Sequence, residues 1–138
     1  RAFLSGLGFA ALFTAACTTD AADFRATMLG ARVYPLEGGV FEVVPQSSGY
    51  GGGNDYWCAA SDYARRYLGA GWQTPIYVYR GMAPGEASGR KSTVLFTLDP
   101  VTSEVPQRGV RRTGAFHVGD SMTVQGGDNL CNAFPRWL

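Results

Sequence analysis

Few side chains in this sequence can do covalent or metal chemistry: three cysteines, Cys17, Cys58 and Cys131, and one histidine, His117. Cys58 falls in the first turn of a predicted helix, where the helix dipole lowers a thiol pKa. A thiolate nucleophile needs an imidazole to carry the proton and a polar group to orient that imidazole, and His117 and Asn129 follow in that order. The competing chemistry is oxidation. In an exported protein Cys58 and Cys131 form a natural disulfide, and closing so long a loop stabilises a fold by about 4 kcal/mol in the chain-entropy treatment. A bonded Cys58 is no nucleophile, so the two readings exclude each other, and the disulfide is the preferred one. The cysteines are too far apart for a zinc ribbon or a thioredoxin-type motif, and a single histidine gives zinc little to bind. No metal and no cofactor is expected.

The first residues bear on which chemistry applies. Ala2 to Ala16 carries no charge, and its 15 residues fit the apolar heart of a secretory signal while falling short of the ~20 that span a bilayer. Thr14-Ala15-Ala16 offers a small-residue cleavage site. Phe13-Thr14-Ala15-Ala16-Cys17 resembles the lipobox of bacterial lipoproteins, with Thr14 where that pattern prefers Leu. The resemblance implies a lipid on Cys17; plain signal cleavage would instead remove or isolate that thiol. Either route leaves Cys58 and Cys131 as the pair. The expected organisation is a leader over residues 1–22 and one exported domain over 23–138.

The order Cys58, His117, Asn129, with His117-Val118-Gly119 around the histidine, resembles the NlpC/P60 cysteine peptidases, which cleave cell-wall peptides. That resemblance implies Cys58 as nucleophile, His117 as base and Asn129 as orienting group. Ala59-Ala60 stands where the family usually has Ser-Gly. Tyr79-Arg80-Gly81 and Ser92-Thr93 resemble the arginine and serine strands of ADP-ribosyltransferases, without that family's downstream Glu-x-Glu or Gln-x-Glu.

Other clusters have simpler explanations. Gly49-Tyr50-Gly51-Gly52-Gly53 precedes a helix but matches neither phosphate-binding glycine pattern, and reads as turn-forming. Arg108, Arg111 and Arg112 read as a solvated loop. Trp72, Tyr77 and Tyr79 could form an aromatic platform, but packing is the commoner use of such rings.

The elements that must position these groups follow from composition and periodicity. The chain has 138 residues, 46% hydrophobic and 17% charged, with 19 glycines, 7 prolines and a net charge of +1. That is one globular domain, too short for two cores, and its charge gives no case for nucleic acid. Val33–Leu36 and Val40–Val44 flank Glu37-Gly38-Gly39 as a hairpin, with Pro35 marking an edge strand. A helix is predicted from Tyr56 to Leu68, capped by Asn54 or Asp55 and ended by Gly69. Its stripe Tyr56, Ala60, Tyr63, Tyr67 is expected to pack on a sheet with the hydroxyls reaching solvent. Ile76–Tyr79 and Ser92–Leu98 read as strands, with a loop over Gly81–Gly89. Ala115–Val118 and Met122–Val124 read as a last hairpin, broken by Gly126-Gly127.

The fold class that results is α+β: a small antiparallel sheet of five to six strands with one helix packed on a face. The expected function is binding or structural and non-enzymatic, in an exported protein of the periplasm or lipid-anchored in the bacterial envelope. Its partner would be an envelope protein or a small ligand, with membrane contact only through an N-terminal lipid. The alternative is the NlpC/P60-like peptidase or amidase.

Overall fold

Alternating β-formers build a single sheet in the computed structural model, which describes residues 24–25, 30–46, 52–103 and 115–131. The strands are β1 (Phe24–Arg25), β2 (Arg32–Pro35), β3 (Val40–Val44), β4 (Pro75–Ala83), β5 (Thr93–Thr97) and β6 (Ser121–Thr123), in the order β1-β2-β3-β5-β4-β6. Every pairing is antiparallel. The short β1 adds two residues to a sheet of five fuller strands. Among the described residues two α-helices accompany it, α1 (Gly53–Arg66) and α2 (Val124–Leu130). The α+β class therefore holds, with one helix more than expected.

The chain runs from β3 through α1 to β4, and β5 then inserts between those two strands. This is a split β-α-β unit, in which β3 and β4 run parallel without touching. The period of two sorts the side chains by face. Val33, Phe41, Val43, Ile76, Val78, Val94 and Phe96 lie under α1, all essentially inaccessible, and meet Trp57, Ala60, Tyr63 and Ala64 of the helix. Ala60 and Ala64 let the helix backbone come close to the sheet. Each fully buried Phe or Val on that face contributes roughly 1.5–3 kcal/mol.

The opposite face carries a polar anchor. One rung crosses four strands as Tyr34, Glu42, Leu95 and Arg80. Glu42 is fully buried, yet its carboxylate is satisfied: Glu86 N–H donates to Oε1 at 2.7 Å, and Ala87 and Ser88 N–H donate to Oε2 at 3.0 Å each. Three successive amides turned towards one anion form a backbone nest, which compensates a charge that would otherwise be costly to bury. Arg80 holds the same segment from the next strands, donating to Thr93 Oγ1 at 2.7 Å and Pro84 O at 3.2 Å.

Four local expectations need correction. The helix starts at Gly53, so Asn54 and Asp55 sit in its first turn, and the N-cap, Gly52, has no side chain to cap with. Asp55 still complements the positive end of the dipole. Strand β4 continues through Gly81 to Ala83, with two register shifts against β5 after Val78 and after Arg80. Tyr56 is buried, and its hydroxyl, expected to point to solvent, donates to Ser92 O at 3.1 Å. Of the last hairpin only Ser121–Thr123 is a strand, and Gly126-Gly127, read as a break, lie within α2. Helix α2 forms because Thr123 caps it, its hydroxyl accepting from Gly126 N–H at 3.0 Å, and because α1 lies against it. At the other end of α1 the expectation holds. Gly69, at φ +70°, turns the chain back so that Ala70 N–H reaches Ala64 O at 2.9 Å.

Candidate functional site

The two flanks of α1 meet different surroundings. On one flank Cys58 and Ser61 face α2. Ser61 donates its hydroxyl to Val124 O, and Gly127 lies so close that a Cβ there would stand 2.8 Å from both Ser61 Cβ and Trp57 O. Cys58 joins Cys131 just past the end of α2, with S–S 2.03 Å and Cα–Cα 5.0 Å. The first turn of α2 is tied as well, Val124 N–H to Thr74 O and Gln125 N–H to Trp72 O, both at 2.9 Å. Only glycine allows this approach, which explains Gly127, half of a residue pair that helix propensity alone reads as a stop.

This flank does not assemble a nucleophile. Cys58 is 1% exposed and its sulfur is in the disulfide, so it has no thiolate to offer. His117 lies on an exposed turn, where its backbone N–H donates to Asp120 Oδ2 at 3.1 Å. Asn129 is on the exposed side of α2. No hydrogen bond among the described residues links the three. The sequence order of the peptidase resemblance thus corresponds to no catalytic geometry, because oxidation uses the cysteine for packing. Arg80 and Thr93, from the other resemblance, serve as the loop anchor described above.

The other flank opens. An aromatic file runs from the core to the surface: Phe96 to Phe41 at 6.1 Å between ring centroids, Phe41 to Tyr63 at 4.7 Å, and Tyr63 to Tyr67 at 4.9 Å, nearly parallel. Tyr63 is buried, whereas Tyr67 is 54% exposed. Burial, reinforced by the neighbouring Tyr67, raises the Tyr63 phenol to about 12, so it stays neutral across the biological range. Beside this file lies an open-sided groove of about 410 Å³, within the roughly 300–1,000 Å³ of small-ligand sites. Tyr63 in the last turn of α1, with Tyr67 and Leu68 just past its end, forms one wall. Pro35, Leu36, Val40 and Leu98 form its sheet side, and Asp99 stands at its edge with Oδ2 3.7 Å from where a Cβ on Gly39 would be.

Tyr67 belongs to the tyrosine stripe read in the sequence, so the helix side of the groove was partly legible. Leu36, Leu98 and Asp99 were not; they come from the end of β2 and the residues after β5 and meet only because β3 and β5 pair. The aromatic platform of Trp72, Tyr77 and Tyr79 does not form. Trp72 is half exposed under the Arg65 guanidinium, 4.9 Å from the ring centroid, and no ring contact joins the three. Cys17, Arg108, Arg111, Arg112 and Gly49–Gly51 lie outside the described residues. Among those described, no three or more His, Cys, Asp or Glu side chains are grouped to hold a metal ion, and no helix is long and apolar enough to cross a membrane.

Comparison with protein-family models, curated proteins and solved structures finds no match for this chain.

Proposed function

We propose that this chain is an exported, disulfide-stapled binding domain of the bacterial envelope, without enzymatic activity, whose ligand site is the groove beside the C-terminal end of α1. The observation that carries the reading is the groove itself, walled by apolar side chains and a half-exposed Tyr67 at the C-terminal end of α1. Rigid aromatic walls bind at low entropic cost, because few rotamers are lost. Export is supported by the uncharged run Ala2–Ala16 and by the bonded Cys58 and Cys131, since such bonds persist in oxidising compartments. Attachment through a lipidated Cys17 belongs to the same reading.

The oxidised domain is titrated with indole and benzyl alcohol while its backbone amides are followed by NMR. Shifts confined to Leu36, Tyr67, Leu68 and Asp99 are the expected result, and their absence would remove the groove as the site. Hydrolysis of cell-wall peptides that a Cys58→Ser change abolishes would overturn the non-enzymatic reading. Mass spectrometry of the exported protein should show a chain starting at Cys17 or shortly after it, with a diacylglycerol mass that Cys17→Ser abolishes if the lipid route is taken.

A further inference from the structure

We propose that the groove takes a small organic cation, an ammonium or quaternary ammonium group carried on an apolar body; the inference rests on the binding reading above and names its ligand class. Three features of the groove bear the same sign. Its walls are aliphatic and aromatic, and a ring face attracts a cation through its quadrupole. Its charged lining residue is a carboxylate, Asp99, which no hydrogen bond or ion pair of the described residues engages through its side chain. Its third feature is the wall that runs from Tyr63 in the last turn of α1 to Tyr67 and Leu68 just past it, at the end where the helix dipole is negative.

Glu37 adds to this field. It is exposed in the 3-10 turn Glu37–Gly39, between the lining residues Leu36 and Gly39. Among the described residues, the two arginines of the last turn of α1 are committed elsewhere. Arg66 is held in a two-point contact by Asp62, Nε to Oδ1 at 2.6 Å and a terminal nitrogen to Oδ2 at 2.7 Å, and Arg65 stacks on Trp72. Neither lines the groove. An anionic ligand would therefore meet Asp99 with no cation among the described lining residues to neutralise it, while a neutral ligand would leave the carboxylate unused. A cation with an apolar body uses both the walls and the charge.

Calorimetry on the oxidised protein, paired with amide shifts, compares benzyltrimethylammonium, benzyl alcohol and benzoate, which share a ring and differ in charge. The cation should bind about tenfold more tightly than the alcohol, the sum of a ring contribution and a partly exposed charge pair. Benzoate should bind more weakly than either. Asp99→Asn, at an exposed position that leaves the core intact, should cost the cation about threefold to fivefold and leave the alcohol unchanged. Added salt should weaken the cation alone. Equal binding of cation and alcohol in the groove would overturn the ligand class while leaving the binding reading standing. Cation binding that ignores Asp99→Asn would overturn it too. If none of the three shifts the groove amides, both the ligand class and the groove as binding site fall.

Discussion

One helix, α1, is sealed along one flank and open along the other. Towards α2 it is bound covalently through Cys58, by a hydrogen bond through Ser61, and by the close approach that Gly127 permits. Towards the end of the β2–β3 hairpin it presents Tyr63 and Tyr67 to a groove. The sealed flank holds the cysteine pair that looked reactive in the sequence and uses it for cohesion. Among the described residues the open flank is lined by no cysteine or histidine, and it leaves the Tyr67 ring half exposed. Reactivity of residue type and availability of the residue are therefore separate properties, and burial decides between them.

Removing the staple is the strongest way to break this contrast. Cys58→Ser with Cys131→Ser should lower stability by roughly 2–5 kcal/mol, read from the urea midpoint, with α2 amides losing hydrogen-exchange protection before the sheet does. A uniform loss across the chain would show that α2 is not separately held. Gly127→Ala tests the same flank without touching the sulfurs. Its methyl meets a backbone carbonyl and Ser61, so a loss of about 1–3 kcal/mol is expected, against the gain that Ala normally brings to a helix. A stabilised variant would mean that the helices separate freely.

The far face of the sheet supplies a third measurement. Glu42→Ala leaves the Glu86, Ala87 and Ser88 amides without their acceptor, at a cost of about 1–3 kcal/mol, and those three amides should be the first to exchange. Unchanged protection there would show that water replaces the carboxylate at no cost.

On the open flank the effects are smaller. The Tyr63 phenol is raised to about 12 from an ordinary value of about 10, so the folded form keeps a proton that the unfolded chain loses. The stability this provides is complete below about pH 10 and is lost as pH rises through about 12. Tyr63→Phe should flatten that alkaline decline in the urea midpoint; an unaltered slope would assign it to other tyrosines. Tyr67→Ala should change stability by no more than about 0.5 kcal/mol, since the ring is half exposed, yet weaken every groove ligand. A large loss of stability would make Tyr67 a structural residue and close the contrast between the flanks.

The sequence by itself determined the α+β class, the strands around residues 33–44 and 93–97, the central helix with its Gly69 stop, and the pairing of Cys58 with Cys131 as the preferred use of two thiols. These rest on local signals: alternation of period two, helical spacing, turn glycines and cysteine arithmetic. Tertiary structure alone decided the second helix, since Gly126 and Gly127 are both poor helix formers and Gly127 is the one that lets α1 come close. It also decided the role of Glu42, a charged residue inside a strand whose compensation comes from amides more than forty positions away. The groove belongs with these. Tyr67 could be read from its stripe, but Leu36, Leu98 and Asp99 reach it only through the pairing of strands distant in sequence. No local pattern records such a meeting, because the physical cause is a register between strands and not a preference of any residue within them.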